Sequence, residues 1–120
     1  RKKIYTDAEY IIQKRVVQRR YRESNREKIR QQRHEYLERL YTDVYSAYSN
    51  KCNCCGETER KFFELDHVNG GGRQEAILMK GTAAIYAKVR REKFPATYQL
   101  LCANCNQGRE RNGGICPHKQ

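Results

Sequence analysis

Six cysteines stand in a pattern that metal chemistry explains. Cys52-Asn53-Cys54-Cys55-Gly56 contains a C-x-x-C pair followed by glycine, and Cys102-Ala103-Asn104-Cys105 supplies a second pair. Two such knuckles present four thiolates that can converge tetrahedrally on one Zn²⁺ at about 2.3 Å. Cys52, Cys55, Cys102 and Cys105 are therefore the expected ligands of a structural zinc. The 46 residues from 56 to 101 exceed the loop of a short zinc ribbon, so the ion is expected to tie together the ends of an inserted functional segment. Cys54, Cys116 and His118 are left over. Packed thiols and an exposed tail histidine are the simpler expectation for them, and a second metal on Cys116, His118 and Cys54 is the alternative. No catalytic thiol is expected, because a cysteine nucleophile needs a positioned base.

The inserted segment holds Glu64-Leu65-Asp66-His67-Val68-Asn69-Gly70-Gly71-Gly72, and Asn106 directly follows the second knuckle. An Asp-His pair alone is usually a surface loop. Set between a C-x-x-C-G knuckle and a Tyr98-Gln99-Leu100-Leu101-Cys102-Ala103-Asn104-Cys105-Asn106 run, it resembles the HNH (ββα-metal) endonuclease family. More narrowly, it is similar to small phage and bacterial proteins with DHxNGGG and CPH segments. The resemblance covers about residues 51 to 118, and the N-terminal half matches only as a basic helical leader.

The resemblance implies an α+β, treble-clef-like, zinc-stapled domain that hydrolyses DNA phosphodiester bonds. It implies Asp66 and Asn106 as ligands of one Mg²⁺ or Mn²⁺ and His67 as general base. Thr97 stands where the family has an asparagine that braces the histidine's loop, so the bracing is expected to fall to Asn69, Gln99 or Asn104. The residue types suit this chemistry on their own account. A hard divalent cation prefers carboxylate and amide oxygens, and a neutral imidazole can take a proton from water near neutral pH. Adjacent residues of a regular strand point to opposite faces, so Asp66 and His67 can share a site only if the strand bends or ends there.

Charge points the same way. Against 14 Asp and Glu stand 25 Lys and Arg, a formal net charge of +11, which calls for a polyanionic partner, nucleic acid by default, and the resemblance implies DNA, double-stranded, as that partner. Arg73, Lys88, Arg90, Arg91, Arg109 and Arg111, with Arg19, Arg20 and Arg22 in the leader, are candidate phosphate contacts, although single basic residues are as often simply solvated. An anionic membrane surface would also attract such a chain, but no apolar run approaches spanning length and no lipidation signal or secretory segment is visible. A soluble intracellular protein is expected, a setting where C-x-x-C pairs bind metal more often than they form disulfides. The competing reading is a non-catalytic zinc module of the same fold that binds nucleic acid or a protein, with the N-terminal helices as a surface for a partner or a second copy.

The elements that must position these residues follow from local signals. Composition shifts at Ser49-Asn50, which separates a cysteine-free basic extension, residues 1–49, from a zinc-containing domain, residues 50–120. Thr6-x-x-Glu9 and Ser24-x-x-Glu27 have the form of capping boxes. They predict helices over 7–22 and 26–48, the second with an apolar stripe of Ile29, Leu37, Leu40, Tyr41, Val44 and Tyr48. Phe62 to Leu65 reads as a strand running into Asp66-His67, and the glycines that follow allow a sharp turn. A helix is expected over 82–92, closed by Phe94-Pro95. A second strand over 98–101 and a helix over 105–111, ended by Gly113-Gly114, complete the reading. With no Trp and only 38% hydrophobic residues, apolar burial alone would leave such a fold marginal.

Overall fold

The computed structural model describes residues 4–119. Helix α1 spans Asp7–Ser24 and opens on the expected capping box: the Glu9 N–H donates to Thr6 Oγ1 at 3.2 Å, and the Thr6 N–H donates to Glu9 Oε2 at 2.8 Å. The second box does not form at Ser24, which is the last residue of α1. Asn25 takes the junction instead. Its Nδ2 donates to the Tyr21 carbonyl at 2.9 Å, and its own carbonyl accepts the Ile29 N–H at 2.8 Å, which starts helix α2, Arg26–Ala47. An asparagine can both satisfy an open helix-end carbonyl and leave the helical conformation at little cost, so it outcompetes the serine beside it.

Two compact units divide the chain, Arg1–Tyr36 and Leu37–Gln120. The division lies inside α2, ahead of the compositional shift at Ser49-Asn50, because the last turns of α2 supply core residues. In the first unit no residue of α1 is buried. Tyr10, Ile11, Ile12, Val17 and Tyr21 are exposed, and so is Ile29, which the apolar stripe had included.

The second unit is built on an antiparallel pair of strands, β1 (Phe63–His67) and β2 (Tyr98–Cys102), in the register Phe63↔Cys102 through His67↔Tyr98. Strand alternation gives the sheet two faces. Leu40, Val44 and Tyr45 of α2 pack with Phe63, Leu100 and Tyr86 on one of them, with Leu65 and Phe94 at the edge. Aromatic rings carry much of this cluster: Tyr45 meets Phe63 edge-on at 5.2 Å, and Tyr41 meets Tyr86 edge-on at 4.9 Å. Tyr45, outside the expected stripe, is buried. Tyr86 and Val89 come from α4, Thr82–Arg91. A second cluster holds Cys52, Leu101, Cys102, Cys105 and Cys116, and α5, Ala103–Arg111, contributes to it.

One helix has no counterpart in the sequence reading. Helix α3, Gly72–Leu78, follows Gly70 and Gly71, whose φ angles of 77° and 93° turn the chain out of β1. Its apolar residues Ile77 and Leu78 are 77% and 82% exposed, so no apolar stripe announced it. Among the described residues no helix is long and apolar enough to cross a membrane.

Candidate functional site

The two knuckles converge. Ligand atoms of Cys52, Cys55, Cys102 and Cys105 all lie within 4.8 Å of one another, and the Cys55 and Cys102 sulfurs are 3.7 Å apart. That separation is close to the tetrahedral edge of about 3.8 Å set by metal–sulfur bonds of about 2.3 Å. Backbone builds the first knuckle: the Cys52 N–H donates to the Glu57 carbonyl at 2.8 Å, the Gly56 N–H donates to the Cys52 carbonyl at 3.0 Å, and Gly56 turns with φ 80°. Burial pushes the Cys52 thiol up, but backbone N–H groups of Cys55, Cys102 and Cys54 outweigh it and bring the pKa down to about 6. The group can hold a metal such as zinc. Cys54, Cys116 and His118 gather with Cys105 in a second group, in which Cys116 is buried and His118 exposed.

A cleft of ≈ 870 Å³ lies around the end of β1, and Glu64, Asp66, His67, Arg73 and Asn106 all reach it. β1 ends at His67, the condition under which two adjacent residues can share a site. Their side chains nonetheless take partners from different elements. His67 Nε2 lies 2.7 Å from Glu75 Oε2 of α3, and the Tyr98 hydroxyl donates to the same carboxylate at 2.7 Å. The His67 and Tyr98 rings pack at 4.7 Å, as their pairing across the strands requires. Burial pushes the Glu75 carboxyl up. Hydrogen bonds from His67 and Tyr98, with the charges of His67 and Lys88, outweigh it and hold the group below its ordinary 4.5. Burial first, and then Glu75, raises the Tyr98 phenol.

Asp66 faces α5. Its Oδ2 accepts from Gln99 Nε2 at 2.9 Å and from Arg109, whose guanidinium also donates to the Val68 carbonyl at 2.6 Å and the Gly114 carbonyl at 3.0 Å. Asn106 donates through Nδ2 to Glu64 Oε2 at 2.6 Å, which leaves its amide carbonyl as the remaining polar atom of the side chain.

No protein-family model, curated protein or solved structure matches the chain.

Chemically, a carboxylate can only accept, so the pairing with Glu75 puts the proton of a neutral His67 on Nε2 and the lone pair on Nδ1. A methyl group on Gly72 would sit 2.9 Å from Nδ1, so the glycine keeps space beside that nitrogen. The loop after His67 is braced without an asparagine at 97, because the Thr97 carbonyl accepts the Val68 N–H at 2.9 Å and any residue supplies a carbonyl. Of the expected substitutes, Gln99 holds Asp66 rather than the loop and is itself steadied by Asn53 at 3.1 Å.

Three of the candidate phosphate contacts have partners within the fold. Arg109 is committed to Asp66 and backbone carbonyls, Arg90 lies 3.2 Å from Asp43, and Lys88 lies 3.8 Å from Glu75. Arg73, Arg91 and Arg111 are exposed in the second unit, and Arg19, Arg20 and Arg22 are exposed on α1. Sequence reasoning missed Glu75. Its one local signal is a carboxylate one turn after the glycine run, too common to single out.

Proposed function

We propose that the chain is a metal-dependent DNA endonuclease of the HNH (ββα-metal) kind, with His67 as general base. The observation that carries this reading is the His67–Glu75 pairing at 2.7 Å on a cleft that Asp66, Glu64 and Asn106 also reach. Glu75 orients the ring, fixes the proton on Nε2 and stabilises the imidazolium that forms when Nδ1 takes a proton from the attacking water. Tyr98 holds Glu75 in turn.

The donor types suit a hard cation: both hydrogen-bonded contacts of Asp66 are made at Oδ2, Asn106 offers an amide carbonyl, and Glu64 is hydrogen-bonded to Asn106. A Mg²⁺ or Mn²⁺ ion bound there would neutralise charge building on the phosphate. The remaining work belongs to the chain. Exposed Arg73 and the other free basic residues draw in the duplex, and the net charge of +11 makes that attraction salt-dependent.

Incubation of supercoiled plasmid with the protein and Mg²⁺ or Mn²⁺ tests the reading. Cleavage that leaves 5′ phosphate and 3′ hydroxyl ends and is lost in His67→Ala is the expected result, and wild-type protein that cuts with neither metal overturns it. A second reading, a zinc-held module that binds DNA without cutting, is favoured by one observation: the Arg109 guanidinium already neutralises Asp66. Salt-sensitive DNA binding without cleavage is its signature.

A further inference from the structure

We propose that Cys54, Cys105, Cys116 and His118 bind a second metal ion, a Zn²⁺, which shares the Cys105 thiolate with the first. The inference rests on the reading of Cys52, Cys55, Cys102 and Cys105 as a zinc site.

The ligand atoms of the second group lie within 4.8 Å of one another, as in the first. His118 Nδ1 is 3.3 Å from Cys105 Sγ and 3.4 Å from Cys116 Sγ. Metal–sulfur bonds of about 2.3 Å and metal–nitrogen bonds of about 2.0–2.1 Å set a tetrahedral edge of about 3.5 Å, so these distances suit one ion. Soft thiolates with an imidazole suit Zn²⁺ over Mg²⁺ or Ca²⁺.

Local structure brings these four residues together. Cys54 lies between the two ligands of the first knuckle. Gly113 and Gly114, with φ of 66° and 95°, reverse the chain after α5, and the Gly114 N–H donates to the Arg109 carbonyl at 2.9 Å. A 3-10 turn at Pro117–Lys119 then sets Cys116 and His118 against α5. Gly108 permits that approach, since a Cβ there would sit 3.0 Å from Pro117 Cδ.

All six cysteines are free thiols, and each belongs to at least one of the two groups. A four-ligand shell on the first ion is closed. Three further ligands arranged about a sulfur of that shell exceed what one ion can use. Cys105 is fully buried and common to both groups, so each of two ions has four protein ligands only if its sulfur bridges them. Leu101 is the only non-cysteine among the buried residues of this cluster, so apolar packing alone gives the C-terminal turn little hold. A second ion would fix that turn to the helix that carries Asn106 and Arg109. Each thiol gives up its proton on ligation, and no electron is transferred.

Metal analysis and native mass spectrometry of the full chain, purified without chelator, decide the matter. Two zinc ions per chain are expected. One overturns the proposal and leaves the first site standing, and none overturns both. Cys116→Ser and His118→Ala are each expected to lower the content from two ions to one while the helical circular dichroism is kept, and an unchanged content of two overturns the ligand assignment. If either variant fails to fold, the wild-type stoichiometry still decides. Sharing of Cys105 is tested with Co²⁺ in place of zinc: the paramagnetic signal per cobalt is expected to fall between one and two equivalents through coupling across the common sulfur. An equal signal per ion overturns the bridge.

Discussion

The two faces of the β1–β2 sheet rest on different forces. On the face with Leu65, Leu100, His67 and Tyr98, aromatic and aliphatic burial with α2 and α4 does the holding, and the polar group it positions is the His67–Glu75 pair. On the face with Glu64, Asp66, Gln99 and Leu101, α5 is held by cysteines, and the groups it positions are Asn106 and Arg109. One half of the cleft therefore rests on packing and the other on a cysteine cluster that can hold a metal. A small fold with a limited apolar supply can build a site this way, because ligand bonds replace core volume that it does not have.

Metal removal separates the two faces most sharply. Apparent binding free energies of structural zinc sites are about 10–16 kcal/mol and are largely folding free energy. Chelation, or Cys52→Ser, is expected to abolish the cooperative thermal transition of the second unit, followed by circular dichroism. A transition that survives with less than half an equivalent of metal would break the comparison, since the apolar face would then suffice alone.

The His67–Glu75 pair, catalytic in the proposed function, comes next in size. His67→Ala is expected to lower single-turnover cleavage by about 10² to 10⁴ while metal content and DNA affinity stay nearly unchanged, because His67 sits on the face that packing holds. Glu75→Gln should lose less, since the amide can still orient the ring but cannot stabilise the imidazolium. Undiminished cleavage by His67→Ala would falsify the mechanism.

Leu40→Ala probes packing directly. Leu40 is fully buried in the apolar cluster, so a loss of about 2–5 kcal/mol is expected in denaturant titration. Zinc content should not change. A loss under about 1 kcal/mol would mean that the apolar face contributes little beyond what the metal supplies.

The smallest effect is that of pH. Glu75 is held below its ordinary value of 4.5, so its ionised form contributes stability that is present above that value and lost as pH falls through the folded pKa. Glu75→Gln should flatten that part of the acid limb. The Tyr98→Phe variant removes one hydrogen bond to the carboxylate and should cost about 1 kcal/mol. An acid limb identical in Glu75→Gln and wild type would show that the carboxylate does not contribute to it.

Much of the architecture follows from short-range signals. The Thr6 box starts α1, the glycines after His67 end β1, and the spacing within Cys52/Cys55 and within Cys102/Cys105 marks two metal knuckles before any fold is known. Each of these rests on contacts within a few residues, where residue type and backbone preference decide the outcome. The junction at Asn25 was misread because two neighbouring residues compete for one cap, and local pattern does not rank them. Tertiary structure decided the rest. Glu75 reaches His67 only because α3 folds back over the strand end, and that helix leaves its apolar residues exposed, so it carries no periodic mark. Arg109 reads as a solvated or phosphate-binding cation until α5 is laid against β1, where it meets an aspartate 43 positions away. Thr97 braces the loop through a main-chain carbonyl, an atom that every residue carries and no sequence distinguishes. That Cys105 belongs to two ligand groups depends on where the C-terminal turn closes. These four facts are set by where distant segments meet, and such meetings leave no trace in local spacing.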